Sequence, residues 1–245
     1  MCIMRPRVDQ VSGTRILARM VAPGRQALAY EMSVAATTEV AMILPVPVPP
    51  GSPEDAVDFI SLERYATLFD DLHRPFAAAS AGVPARNTPR SAPLRVHEVG
   101  AFRASFAPRV ADLDRLDPQF RLPPSAIDAV PAYADWGFVV FQLAPERTPT
   151  RVHPMAFTFP TRKPTQLFFP TIHIHDGELH EQANFHHALF AQGIDEGGFT
   201  VSPEPAERFV DRARAGVLVD GDAPVWHRPV HGLRPNADIW ARVSA

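Results

Sequence analysis

The chain has one cysteine, Cys2, and one lysine, Lys163, among its 245 residues. A single thiol excludes an internal disulfide and fits a reducing compartment. No apolar run reaches the roughly 18 residues that a membrane span needs. Behind the charges of Met1 to Arg7 there is no apolar stretch, so no secretory signal is expected and a cytoplasmic location is. The net charge of −3 leaves no basic excess for phosphate contacts, which argues against a nucleic-acid partner. Gly-x-Ser-x-Gly, Gly-x-x-x-x-Gly-Lys and Gly-x-Gly-x-x-Gly are all missing, so the usual nucleophile elbow and phosphate cradles are excluded. What is abundant is proline, 27 residues, roughly double the common ~5%, and histidine. Five of the ten histidines fall between His173 and His187.

Short apolar runs between turn signals predict a sheet-rich chain. Thr14 to Met20 and Gln26 to Ser33 read as strands paired across Pro23-Gly24. Thr38 to Leu44, Trp136 to Leu143, the alternation of Met155, Phe157 and Phe159, Gln166 to Phe169 and Thr171 to His175 read as further strands, and Gly216 to Val219 as extended. Leu94 to Val99 and Ala101 to Phe106 read as a hairpin about Gly100. Ser52-Pro53-Glu54-Asp55 has the residues of a helix start. A helix from Ser61 to about His73 is predicted by Leu62, Tyr65, Leu68/Phe69 and Leu72, with Pro75 as its stop. Val110 to Leu116, Ser125 to Tyr133 and Glu204 to Arg214 read as helical pieces. Ala77 to Ala92, small and polar with no periodic apolar face, reads as a mobile loop. The expectation is an α+β fold, mainly antiparallel sheets and hairpins with a few peripheral helices. It is either one domain over 1–245 or two lobes, 1–76 and 93–245, joined by 77–92.

Cys2, Leu44-Pro45-Val46-Pro47, the aromatic strand Trp136 to Leu143 and Pro154-Met155-Ala156-Phe157-Thr158-Phe159-Pro160 follow one another in an order that resembles an uncharacterised bacterial family known only as a domain of unknown function. The resemblance spans about residues 2–170. It implies an α+β fold and no particular chemistry.

The histidine-rich stretch carries the candidate chemistry. Asp176-Gly177 sits between two alternating runs, the strongest short signal for a two-residue hairpin turn. In that register His175 opposes Glu178 and His173 opposes His180, so His173, His175, Glu178 and His180 share one face. Three imidazoles and a carboxylate form a ligand set for one copper, iron or zinc ion with a position left open for water or a small-molecule substrate. Glu178 would be a fourth ligand or the acid/base. The His-x-His followed by Glu resembles the first metal motif of cupin barrels, with a shorter spacing. An exposed polar hairpin face alternates in the same way, and a one-residue slip would separate His173 from His180. Beyond Ala183 either the strand continues, with His180, Gln182, Asn184 and His186 on one face, or a helix runs to Gly193 with Phe185 and Leu189 inward and His186 and His187 toward solvent; the helix is expected. A second candidate is Cys2: removal of Met1 would place an amine and a thiol on one residue, as in N-terminal-nucleophile amidohydrolases. A third is a binding or scaffold protein without catalysis.

Overall fold

The computed structural model describes residues 2–77, 103–122, 130–174, 178–195 and 197–244. Its first strands are β1 (Cys2–Arg5), β2 (Gln10–Ala22), β3 (Arg25–Ala36), β4 (Val40–Val46) and β5 (Asp58–Ser61). Pro23-Gly24 closes the β2–β3 hairpin, with Gly24 at φ 71°, a conformation cheap only for glycine. After a 3-10 turn at Glu63–Tyr65 comes α1 (Leu68–Ala77), then β6 (Arg103–Ala107), β7 (Gly137–Leu143), β8 (Glu146–Pro160), β9 (Gln166–Phe169) and β10 (His173–Ile174). The chain ends with β11 (Gln182–Ala191), β12 (Thr200–Pro205), α2 (Arg212–Ala215), β13 (Pro224–Pro235) and β14 (Ile239–Arg242). The fold is a sheet-dominated α+β arrangement.

Two large sheets organise it. The five-stranded sheet has the order β10-β1-β4-β7-β6 and the seven-stranded sheet β12-β13-β11-β2-β3-β8-β5, while β14 and β9 form a small ribbon. Pairing is antiparallel except for β1 with β10 and β2 with β11. Both large sheets contain strands from before and from after residues 78–102.

The middle of the seven-stranded sheet is buried on both faces, which explains why β2 and β3 carry apolar residues at both parities. Ile16, Ala18, Leu28 and Tyr30 point into a core shared with β4 and β7 of the other sheet. Leu17, Ala27, Ala29 and Phe190 point the opposite way and are covered by Leu68, Phe69, Leu72 and Phe76 of α1. One fully buried polar side chain joins the ribbon to this frame. The Gln26 amide donates to the Phe168 carbonyl at 2.8 Å and accepts from the Phe168 N–H at 2.9 Å, mimicking a strand pair at the edge of β9.

Several helix expectations differ from the structure. Ser52 to Asp55 leads through a turn into β5, with no helix. The predicted 61–73 helix begins only at Leu68 and runs through Pro75 to Ala77; burial of Phe76 against Phe190 and His227 offsets the backbone bond that proline removes. Residues 182–191 are strand β11, with Phe185, His187 and Leu189 buried and His186 exposed, a period of two where a helix was expected. Within 204–214 the helical structure is a 3-10 turn at Ala206–Arg208 and the start of α2, and Gly216–Leu218 is a 3-10 turn instead of extended chain. The hairpin predicted about Gly100 and the piece at 125–129 lie outside the described residues.

Candidate functional site

β10 does not fold back on the residues after it. His173 stands opposite Cys2 and Ile174 opposite Ile3 in a parallel pairing with β1. The His173 N–H donates to Asn236 Oδ1 at 2.8 Å, and Asn236 Nδ2 donates to the carbonyls of His173 at 2.9 Å and His180 at 3.1 Å. One asparagine thus takes the backbone groups that a hairpin partner would have used. The next strand, β11, is claimed instead by β13 on one side and β2 on the other. β10 therefore belongs to one sheet and β11 to the other, and the predicted His173–His180 strand pair is replaced.

The structure brings together a different histidine pair. Nε2 of His173 lies 3.2 Å from Nε2 of His187, the rings stack at 4.9 Å between centroids, and Phe185 packs 4.6 Å from His173. His173 and exposed His180 line one shallow pocket of about 380 Å³ together with Arg7, Asp9 and Gln10. Glu178 is exposed and is not one of the residues lining it. His175 lies outside the described residues, and the description of Cys2 stops at its backbone. Among the described residues, no group of three or more His, Cys, Asp or Glu side chains is arranged to hold a metal ion.

A second polar site was not expected from the sequence. On the face of the seven-stranded sheet covered by α1, the apolar floor gives way to charged and imidazole side chains, and a cleft of about 340 Å³ opens beside the helix. At one end Glu31, 1% exposed, accepts from Arg15 Nε at 2.5 Å. Asp70 of α1 accepts from Arg15 at 2.7 Å and from Arg151 at 2.8 Å. Two guanidinium groups and two carboxylates balance one another. Burial pushes the Glu31 carboxyl above the usual range, opposed by Arg15. Burial acts the same way on Asp70, but the hydrogen bonds from Arg15 and Arg151 bring it below the usual range.

At the other end are four imidazoles. His186 of β11 and His231 of β13 are register partners with ring centroids 5.2 Å apart. His73 of α1 meets His227 edge-on at 5.3 Å, and His227 also packs against Phe76 and Phe190. Burial, with the neighbouring His73 and His231, lowers His227 to about 4, and burial with Arg15 nearby lowers His73. Both are neutral bases at pH 7. Three buried atoms in this cleft, Glu31 Oε1, His227 Nε2 and Arg15 Nη2, have no hydrogen-bond partner among the described residues, the last being held by its ion pair with Glu31. The sequence did hold a signal: Glu31 interrupts the run Ala27-Leu28-Ala29-Tyr30, where an unpaired carboxylate has no place.

No family model and no curated protein matches the chain. The fold does have solved counterparts. Baculovirus P35 is similar over 100% of both chains, with a TM-score of 0.60 and 13% identity. A mutated baculovirus P35 after caspase cleavage is similar over 95% of this chain and 100% of that one, with a TM-score of 0.50 and 11% identity. At these identities the likeness is one of fold.

Proposed function

We propose that the protein is a non-catalytic binding protein that engages a protease through the segment between α1 and β6. The observation that carries this reading is the likeness to baculovirus P35 along the whole of both chains, together with the solution of P35 in a caspase-cleaved form. The segment 78–102 is 25 residues long by its end points and rich in Ala, Pro and Arg. That is the length and composition at which chains accept proteolytic nicking. It contains Arg86, Arg90 and Arg95 and no aspartate. A protease that reads aspartate finds no site there, whereas one with an acidic specificity pocket finds three. Incubation with arginine-directed and aspartate-directed proteases tests the reading. The expected result is a cut after one of these arginines, with loss of protease activity and a protease–protein complex on a native column. The Arg86→Ala/Arg90→Ala/Arg95→Ala variant loses all three. Cleavage elsewhere, or cleavage with full protease turnover for both classes, overturns it.

A second reading is favoured by one distance. Two nitrogens bound to a single zinc at about 2.1 Å in tetrahedral geometry stand about 3.4 Å apart, near the 3.2 Å between His173 Nε2 and His187 Nε2. In this reading the pair holds one copper, iron or zinc ion at an open site for a small-molecule substrate. His175, His180, Glu178 and Cys2 are further donors nearby in sequence or pairing, and Glu178 is the acid/base. Elemental analysis of chelator-free protein beside a His173→Ala/His187→Ala variant decides it: near-stoichiometric metal lost in the variant supports the site, and no metal in either after reconstitution overturns it.

A further inference from the structure

The cleft beside α1 shares no residue with segment 78–102, so a ligand bound in it is independent of the protease reading. Glu31 and His227 are both more than nine-tenths buried, both line the cleft, and each carries an atom with no hydrogen-bond partner among the described residues. Leaving a buried polar atom unpaired costs free energy that native structures avoid unless something else supplies the bond. We propose that this cleft binds a small, uncharged, planar heteroaromatic amine, a molecule of nucleobase size that presents an amino donor beside a ring-nitrogen acceptor.

Each part of that description is set by a wall of the cleft. An ionised carboxylate only accepts hydrogen bonds, so the atom meeting Glu31 Oε1 is a donor. A neutral imidazole has one N–H and one lone pair, so His227 can donate to a ring nitrogen beside that amine. Charge is excluded by balance. A cationic ligand would face Arg15 and Arg151, and an anionic one would face Glu31 and Asp70, whose four charges already cancel in pairs. Planarity follows from the paired rings of His186 and His231 and of His73 and His227, which offer flat π surfaces for stacking. A volume of about 340 Å³ is near the lower end for small-molecule sites and admits one or two fused rings.

The test uses four free bases, adenine and cytosine against purine and uracil, titrated into the full chain at pH 7 while the imidazole resonances are followed by NMR. Purine lacks the amino group of adenine, and uracil replaces the cytosine amine with a carbonyl that would oppose Glu31. The expected result is a shift of the His227 resonances by adenine or cytosine, with affinity at least roughly tenfold above that of purine or uracil. His227→Phe keeps a ring among Phe76 and Phe190, so it preserves the melting temperature at pH 7 but weakens binding by roughly tenfold. Glu31→Gln weakens it too and serves as the second variant. No shift by any base up to about 10 mM means that water alone fills the cleft, and overturns the proposal. Equal binding of all four bases, or undiminished binding to His227→Phe, overturns it as well.

Discussion

His227 is a base kept neutral by hydrocarbon. Its ring sits between Phe76 and Phe190 and faces His73 and His231, so the folded chain resists its protonation down to about pH 4 while the unfolded chain takes the proton near 6.5. Between those values the unfolded state binds more protons, so stability is full above about pH 6.5 and falls as the pH drops toward 4. The shift corresponds to up to about 3 kcal/mol, and solvent at the cleft mouth screens it to on the order of 2 kcal/mol. Denaturant melts at pH 7.0 and 4.5 should show that loss in the native chain, and His227→Phe should reduce it, leaving the smaller share from His73. Arg15 gives a second test. It bonds both Glu31 and Asp70, and removing it strands a carboxylate that is 1% exposed, with Arg151 only at 4.0 Å. Arg15→Met should cost about 3–5 kcal/mol in equilibrium unfolding. Asp70→Asn, at an exposed position, should cost less than 1 kcal/mol.

At the scale of elements, the strands that a local pattern specifies were legible and those that a distant partner specifies were not. The β2–β3 hairpin has its turn signal and both strands in one stretch of sequence, and Gln166–Phe169 is a strand with the expected ends. The His173–His180 region shows the opposite. Asp176-Gly177 is a strong local turn signal, yet β10 is held by Asn236 and by β1, residues far away in sequence whose pull no window around position 176 contains. The helix placed over β11 failed for a different reason. Phe185, His187 and Leu189 alternate strictly, but buried His187 reads as polar and masks the period. Glu31 and Arg15 were overlooked because pairing between strands, and not spacing along one, joins them. Helix α1 is where packing dominates local preference, since it continues through Pro75. Its hold on the sheet is therefore apolar, and Leu72→Ala should cost about 2–5 kcal/mol by denaturant titration. The contact between β6 and β7 is tight in its own way. A Cβ on Gly137 would lie 2.5 Å from the Phe106 ring, so Gly137→Ala should cost about 1–3 kcal/mol, read as a lower denaturation midpoint.

For the whole molecule, the decisive feature is how the two halves of the chain are woven. β1 to β5 precede residues 78–102 and β6 to β14 follow them, but neither group by itself forms either of the two large sheets. β4 lies between β1 and β7, β2 lies between β11 and β3, and β8 lies between β3 and β5. Both cores draw on both halves, with Leu28 and Met42 packed among Phe157 and Val140 on one side and Leu17 and Phe69 packed with Phe190 on the other. A break in segment 78–102 would cut none of the strand pairings among the described residues, and the closure entropy of the connection it removes grows slowly with loop length. Limited proteolysis that cuts once after Arg86, Arg90 or Arg95 should therefore yield two fragments that stay folded together. They should co-elute at the intact size on a native column, keep the native circular dichroism, and separate only in denaturant. Two lobes joined by a linker would come apart on that column, so separate elution under native conditions would show that the pairing across the sheets does not hold the halves together.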